Sequence, residues 1–186
     1  MSIIFTLPAP TVYDESPQRI IGWHHVGVPK LVAAELTDVV PRLKELGIRL
    51  ILSSDLDEQC ARVLARKLDC PNKLWKELRR FNWGKMHGQR AAKGMKMWQQ
   101  MQDKWKDNPT IPVPGGDSLA SYQKRMNAAH AKLIRLKGKI TLVVARPQEI
   151  RTITGLNGNF DLHKLYEWRC DGEVPRPFKA VQQLAT

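Results

Sequence analysis

Apolar residues in this chain form short continuous runs that alternate with longer amphipathic stretches. The continuous runs Ile3–Thr6, Ile48–Leu52 and Ile140–Ala145 have the length and composition of strands buried on both faces. Three- and four-residue spacing of apolar positions predicts four helices. These helices span Leu31–Leu46, Asp57–Leu68, Leu119–Leu136 and Gln148–Thr154. Strands therefore alternate with helices, which predicts an α/β domain with a mostly parallel sheet.

Proline and glycine mark where these elements break. Pro41 lies inside the first helix and should kink or restart it, and Gly47 and Gly155 should end helices. The stretch Asn108–Gly116 contains three prolines and two glycines, so it is predicted to be a loop before a helix capped by Asp117 or Ser118. We interpret residues 1–186 as a single domain with this loop inside it.

Length and composition exclude several classes of protein. The chain has 186 residues, of which 42% are hydrophobic and 26% charged, so it is predicted to fold without disulfides. Its apolar runs are far shorter than the roughly 20 residues of a membrane span, so no membrane-spanning helix is predicted. The N-terminal run is interrupted by Pro8 and is not preceded by basic residues, so it is not predicted to be a signal peptide. Cys60, Cys70 and Cys170 are widely spaced. They favour reduced thiols in a cytoplasmic protein over a disulfide or zinc site.

Positive charge is concentrated in one segment. The net charge is +12, and residues 62–106 carry 13 Lys and Arg against 3 Asp and Glu, a net charge of +10. Four tryptophans lie in this basic segment, and cations mixed with aromatic rings are typical of proteins that bind single-stranded nucleic acid. However, the helical spacing of Met97, Trp98, Met101 and Trp105 favours a buried helix face, with Lys93, Lys96 and Lys104 solvated opposite.

Four motifs occur in order along the chain. They are Arg19-Ile20-Ile21-Gly22-Trp23, Ser53-Ser54-Asp55-Leu56, the stretch from Leu78-Arg79-Arg80 to Gly88, and Pro114-Gly115-Gly116-Asp117-Ser118 followed by Arg125. Together they resemble the histidine phosphatase superfamily. The resemblance implies the phosphoglycerate mutase-like fold, a three-layer α/β/α sandwich, over essentially the whole chain.

The chain departs from that family at each position where the resemblance implies catalysis. Leu7 and Pro8 stand where the family has an arginine and its nucleophilic histidine, and Glu58 stands where it has a second arginine. Arg80 replaces the acid and Arg146 replaces the second histidine. Because proline cannot accept a phosphoryl group, the prediction is a pseudoenzyme without phosphohistidine catalysis, which acts by binding.

The leading hypothesis is that a basic face around the former active-site mouth binds a polyanion, RNA or DNA. The residues predicted to bind phosphates, with two tryptophans that could stack on bases, are Lys73, Lys76, Arg79, Arg80, Lys85, Arg90, Lys93, Lys96, Arg146, Trp75 and Trp83. Two alternatives stay open. One is an inhibitor or assembly subunit that binds an acidic protein, and the other is a protein that holds a phosphorylated small molecule with Arg80 and Arg146.

Other chemistry has weaker support in the sequence. His24, His25 and His87 could lie near the same mouth, but adjacent side chains in an extended stretch point apart, and no third metal ligand is evident. Cys60 lies early in a helix, but the helical pattern turns it inward and Glu58 opposes a thiolate. No metal site, cofactor or membrane partner is predicted.

Overall fold

Strands and helices alternate along the described part of the chain. The computed structural model describes residues 3–9, 19–23, 36, 38–136, 138–155 and 182–183. Its elements in chain order are β1 (Ile3–Pro8), α1 (Val40–Glu45), β2 (Leu50–Ser53), α2 (Glu58–Leu68), β3 (Asn72–Leu74), α3 (Ala91–Asp107), α4 (Leu119–Ile134), β4 (Ile140–Ala145), α5 (Pro147–Gly155) and β5 (Gln182–Gln183). Short 3₁₀ helices cover Asp55–Asp57, Lys76–Leu78 and Gly84–Met86.

The strands form one sheet in the order β3-β2-β4-β1-β5. The first four are parallel, and β5 pairs antiparallel with β1. Strand β4 lies at the centre, where Val143 is opposite Thr6 on one side and Leu52 on the other. The parallel arrangement brings the carboxyl ends of β1 to β4 to the same edge, which we call the carboxyl edge.

Helices cover both faces of the sheet. Successive β4 residues point to opposite faces, so Val143 and Ala145 belong to one hydrophobic core and Leu142 and Val144 to the other. The first core contains apolar residues of α3, α4 and α5, and the second contains apolar residues of α1 and α2. The predicted three-layer α/β/α sandwich with a mostly parallel sheet is confirmed.

Local sequence signals explain two helix starts. Pro41 lies in the first turn of α1, where its missing N–H leaves no helical hydrogen bond unmade. Leu36 and Asp38 are also helical, so the predicted restart at Pro41 is confirmed. Helix α4 begins with a reciprocal capping box, in which Ser121 N donates to Ser118 Oγ (3.1 Å) and Ser118 N donates to Ser121 Oγ (3.0 Å).

Each predicted element is present where its residues are described, with ends that differ by at most two residues, and residues 108–116 form the expected loop. Strands β3 and β5 were not predicted, because neither carries a continuous apolar run. Within the described residues, no helix is both long and apolar enough to cross a membrane.

Candidate functional site

Charged residues follow three of the parallel strands at the carboxyl edge. Asp55 and Asp57 lie just after β2, Arg79 and Arg80 follow β3 and its 3₁₀ helix, and Arg146 comes directly after β4. Ligands of open α/β sheets bind at this edge, where the loops after the strands converge. The fold therefore brings together residues that are up to 89 positions apart in the sequence.

Two arginines converge on one carboxylate at the centre of this edge. Arg80 donates through Nη2 to Asp57 Oδ1 at 3.3 Å, and Arg146 donates through Nε to the same oxygen at 3.1 Å. The hydroxyl of Ser54 donates to Asp57 Oδ2 at 2.8 Å. Asp57 and Arg80 are only 6% and 5% exposed, so their ion pair is shielded from water. We call Arg80 and Arg146 together the arginine pair.

The surroundings of Arg80 leave one of its donors unused. The pKa of Arg80 is lowered first by burial and then by the positive charge of Arg146, while Asp57 and Glu149 oppose both effects. In addition, Arg80 Nε is buried without a hydrogen-bond partner. Within the described residues both guanidinium groups pair with the same carboxylate, and an anion could accept the hydrogen bond that Arg80 Nε does not make.

A second buried carboxyl group, Glu149, interacts electrostatically with Asp57 and Arg80. It belongs to the first turn of α5 and is 1% exposed. Its Oε1 accepts a hydrogen bond from the Tyr122 hydroxyl at 2.9 Å, and its Oε2 has no partner. Burial is the main reason that the pKa of Glu149 is raised to about 7, with the charge of Asp57 adding to the rise.

The motifs that carried the family resemblance form the framework around the site. Arg79 donates through Nε to Asp55 at 2.7 Å and stacks on the Trp23 ring at 4.6 Å. The indole Nε1 of Trp23 donates to the Arg80 carbonyl oxygen at 2.6 Å. Arg125 donates to the Arg79 carbonyl oxygen and pairs with Asp117. Residues of the other three motifs thus hold Arg79 and Arg80 in place.

Glycine is required where two of these motifs meet. Gly84 has a φ of +47°, and a Cβ atom there would lie 2.3 Å from the Pro114 carbonyl oxygen. The backbone N–H of Lys85 donates to the same oxygen at 2.9 Å. This close approach fixes the loop that follows Arg80 against the Pro-Gly-Gly turn.

The predicted binding residues divide into two groups. Arg79, Arg80 and Arg146 are paired with carboxylates at the carboxyl edge. Five other cations are exposed, and none of them pairs with a carboxylate in the described part of the chain: Lys73, Lys76, Lys85, Arg90 and Lys96. The predictions for His24, His25, Cys170 and the side chains of Lys93 and Trp98 fall outside what the structure describes.

The two predicted stacking tryptophans occupy different environments. Trp75 is half-buried, with Lys132 Nζ 5.5 Å from its ring centroid. Trp83 is 5% exposed and packs on Phe81 with ring centroids 4.7 Å apart. The prediction that Trp83 stacks on bases is therefore wrong for this structure, because its ring belongs to the core.

Cys60 and His87 take part in the packing and hydrogen bonding of the fold. Burial and the charge of Asp57 raise the pKa of the Cys60 thiol to about 12, despite the opposing charge of Arg146, so the inward position predicted for Cys60 is confirmed. His87 Nδ1 accepts a hydrogen bond from the backbone N–H of Gly22 at 3.0 Å. Across the described residues, no three His, Cys, Asp or Glu side chains are grouped so that they could hold a metal ion.

Sequence reasoning missed Asp57 and Glu149. Asp57 was read as the first residue of a helix, and Glu149 as an ordinary residue of a short one. The sequence did contain a signal that Glu149 is buried. It lies next to Ile150 and one helical turn before Ile153, on a helix that begins directly after a buried strand. The partner of each carboxyl group could not be read from the sequence, because it lies on a distant element.

A family model matches most of the chain. The histidine phosphatase superfamily (branch 1) model aligns with residues 16–173. No curated protein matches the chain in sequence. The family model supports the superfamily membership that the motifs suggested.

Solved structures with the same fold include named phosphatases. The alpha-ribazole phosphatase from Shigella flexneri is 12% identical, with a TM-score of 0.74 over 89% of this chain and 84% of its own. A mycobacterial glucosyl-3-phosphoglycerate phosphatase is 17% identical, with a TM-score of 0.66 over 88% of this chain and 81% of its own. YhfR from Bacillus stearothermophilus is 16% identical, with a TM-score of 0.73 over 89% and 84%.

These comparisons overturn the prediction that the chain is a pseudoenzyme. That prediction depended on five substitutions at family positions, whereas the chain matches the family model and the structures that match its fold include an alpha-ribazole phosphatase and a glucosyl-3-phosphoglycerate phosphatase. The physical reason for the error is that losing the usual nucleophile was equated with losing the site. The carboxyl edge still brings two arginines, Arg80 and Arg146, together at Asp57.

Proposed function

The chain belongs to the histidine phosphatase superfamily, and we propose that it binds a phosphate ester at the carboxyl edge and hydrolyses it. One observation carries the proposal: the guanidinium groups of Arg80 and Arg146, on two different loops, converge on Asp57 at the carboxyl edge, and Arg80 Nε is buried without a hydrogen-bond partner. Guanidinium groups match the geometry of phosphate oxygens and keep their charge when buried. A phosphate oxygen would supply the acceptor that Arg80 Nε lacks.

The proposed reaction does not use a phosphohistidine at the end of β1, because Pro8 offers no nucleophile there. Instead, a water oxygen forms the new bond to phosphorus while the bond to the ester oxygen breaks. The released alcohol takes one proton of the water, and inorganic phosphate takes the other. The two guanidinium groups would stabilise the charge on the phosphoryl oxygens during the transfer.

Release of inorganic phosphate tests this proposal. Wild type would be incubated with a panel of nucleotides, sugar phosphates and p-nitrophenyl phosphate, alongside Arg146→Gln and the matched control Arg66→Gln, an exposed arginine of α2. We expect hydrolysis of at least one ester, a loss of at least roughly tenfold in Arg146→Gln and no change in the control. If no ester is hydrolysed and inorganic phosphate does not bind, the proposal is wrong.

Asp57→Asn provides a second test, in which anion binding is expected to become tighter. Asp57 competes with a bound anion for the donors of both arginines. Replacing it with the neutral amide should therefore tighten the binding of inorganic phosphate, measured by calorimetry. Weaker binding in Asp57→Asn would contradict an anion site centred on this pair.

A second candidate function is binding of single-stranded RNA or DNA by the outer surface of the basic segment. The specific support is the set of five exposed cations defined above, which lack carboxylate partners in the described part of the chain. Each phosphate that such a residue neutralises releases counterions, so the affinity should fall as salt rises. Binding would be weakly sequence-specific, since phosphate contacts carry no base information.

Titration of labelled oligonucleotides at several salt concentrations tests this candidate. Single replacements of Lys73, Lys76 or Lys85 by Gln should each lower the log–log salt slope by about one, whereas Lys124→Gln, an exposed lysine of α4, should not. No binding at physiological salt would exclude nucleic acid. Partner proteins that stay bound after nuclease treatment would favour the acidic-protein alternative instead.

A further inference from the structure

Strand β3 is the end strand of the described sheet and pairs with one neighbour, β2. The Pro71 carbonyl oxygen accepts a backbone hydrogen bond from β2 at 2.9 Å, and the Trp75 N–H donates one to β2 at 2.8 Å. The direction of the backbone N–H and C=O groups alternates from one residue of a strand to the next. The backbone groups of Asn72 and Leu74 therefore point away from β2, along the outer edge of the sheet.

This outer edge of β3 has the features of a strand that can accept a further strand. Within the described residues, no hydrogen bond reaches the outward backbone groups of Asn72 and Leu74. The Leu74 side chain is 44% exposed, although it is large and apolar. Unpaired backbone groups next to an exposed apolar side chain are a template for an extended segment of another chain.

A groove of about 510 Å³ lies beside β3, at the amino end of the strand. Asn72 lines it from β3, and Arg62, Ala65 and Arg66 line it from α2. Asn72 is in register with Ile51 of β2, which belongs to the second core, so the groove lies on the face of the sheet that α2 covers. Alternate side chains of a strand added along β3 would enter this groove, and the others would lie on the opposite face.

Positive charge surrounds the edge and the groove. Three exposed cations make no ion pair with a carboxylate in the described part of the chain: Arg66, Lys73 and Lys76. Arg62 and Glu77 are each paired with a side chain of opposite charge, and Asp69 is the carboxylate that lines the groove. An acidic partner complements this surface, whereas a second copy of the chain would bring the same cations together.

We propose that the outer edge of β3 and its groove bind an extended acidic peptide of a partner protein, which joins the sheet as a further strand. The peptide backbone pairs with the outward groups of Asn72 and Leu74, and its apolar side chains cover Leu74. Its carboxylates meet Arg66 in the groove and Lys73 on the other face. The groove lies at the amino end of β3 and the arginine pair beyond the carboxyl ends of the strands, so peptide docking and phosphate binding are separate.

Binding of a short fluorescein-labelled peptide of alternating glutamate and valine, measured by anisotropy at physiological salt, tests this inference. We expect wild type to bind it with a Kd of about 100 μM or tighter. The same peptide N-methylated at every residue keeps its charge but has no backbone donor, and should bind at least roughly tenfold more weakly. A peptide of alternating lysine and valine should not bind. Failure of the acidic peptide to bind, or equal binding of its N-methylated form, would overturn strand addition.

Variants of the edge sharpen the test. Leu74→Pro removes an outward N–H and no hydrogen bond to β2, and should weaken peptide binding by roughly tenfold or more. Arg66→Gln and Lys73→Gln should each weaken it by roughly two- to fivefold, and Lys124→Gln on α4 should not. Full binding by folded Leu74→Pro would contradict the proposal. The N-methylated peptide, which is tested on wild type, decides the question if that variant does not fold.

Two further results would assign the edge of β3 to a different occupant. A wild-type dimer that Leu74→Pro dissociates, seen by analytical ultracentrifugation, would mean that a second copy of the chain occupies the edge. Single-stranded DNA that displaces the acidic peptide and binds more tightly would mean that the cations serve nucleic acid. Either result would overturn the acidic peptide as the partner, while hydrolysis at the carboxyl edge would be unaffected by both.

Discussion

Cations at the carboxyl edge and cations on the outer surface of the basic segment differ in how they are neutralised. At the edge, each arginine has a carboxylate partner: Arg79 has Asp55, Arg80 and Arg146 share Asp57, and Arg125 has Asp117. On the outer surface, the five exposed cations have none within the described residues. The charge of +10 counted in the segment is therefore not one uniform face.

This difference separates structural charge from charge available for binding. A buried guanidinium requires a partner, because taking an unpaired charge out of water is costly. An exposed lysine remains hydrated and needs none. Paired arginines can still bind an anion where they outnumber their carboxylates, and among the described ion pairs Asp57 is the one carboxylate shared by two arginines.

Removing Trp83 should have the largest effect on stability. Its ring packs on Phe81 in the first core, so Trp83→Ala leaves a large cavity and is expected to cost about 4 kcal/mol of unfolding free energy. Trp75→Ala should cost clearly less unfolding free energy, because the Trp75 ring is only half-buried. Urea denaturation of both variants checks this. Equal losses would show that the basic segment does not divide into an interior and a surface.

Removing Asp57 should have the next largest effect. Asp57→Ala removes the buried carboxylate that Arg80 and Arg146 share, and we expect a loss of about 3 kcal/mol in urea denaturation. The control is Asp103→Ala, which breaks a pair with Lys106 in which both side chains are 68% exposed, and which should lose less than about 1 kcal/mol. A small effect at Asp57 would mean that water already reaches the arginine pair.

Sequence patterns predicted the fold better than the site. Strand β4 was predicted with its observed bounds because both of its faces are buried and its residues are continuously apolar. Strand β3, by contrast, contains Asn72 and Lys73, and forms because β2 offers it a parallel partner. The contacts of the site could not be predicted for the same reason, because the Arg146–Asp57 pair joins residues 89 positions apart. The sequence showed the cations but not which carboxylates would neutralise them.

The pH dependence of stability should show the raised pKa of the buried acid Glu149. The pKa of Glu149 is raised from 4.5 to about 7 on folding, so the folded state holds a proton that the unfolded state has lost. Stability from this residue is complete below pH 4.5 and is lost as the pH rises to 7, by about 2 kcal/mol between about pH 5 and 7. Glu149→Gln should remove this loss in thermal unfolding measured across pH. An unchanged slope in the variant would show that Glu149 ionises freely in the folded protein.

Neutralising the exposed cations should have the smallest effect on stability. Lys73→Gln, Lys76→Gln and Lys85→Gln each remove a hydrated charge that makes no ion pair within the described residues, so each should change the unfolding free energy by less than about 0.5 kcal/mol. Removing charge from a strongly basic segment also relieves repulsion, which favours small gains over losses. Urea denaturation at low and high salt checks both the size and the sign. A loss above about 1 kcal/mol at any of these positions would place that lysine with the paired arginines of the carboxyl edge, and the division between structural and available charge would have to be redrawn.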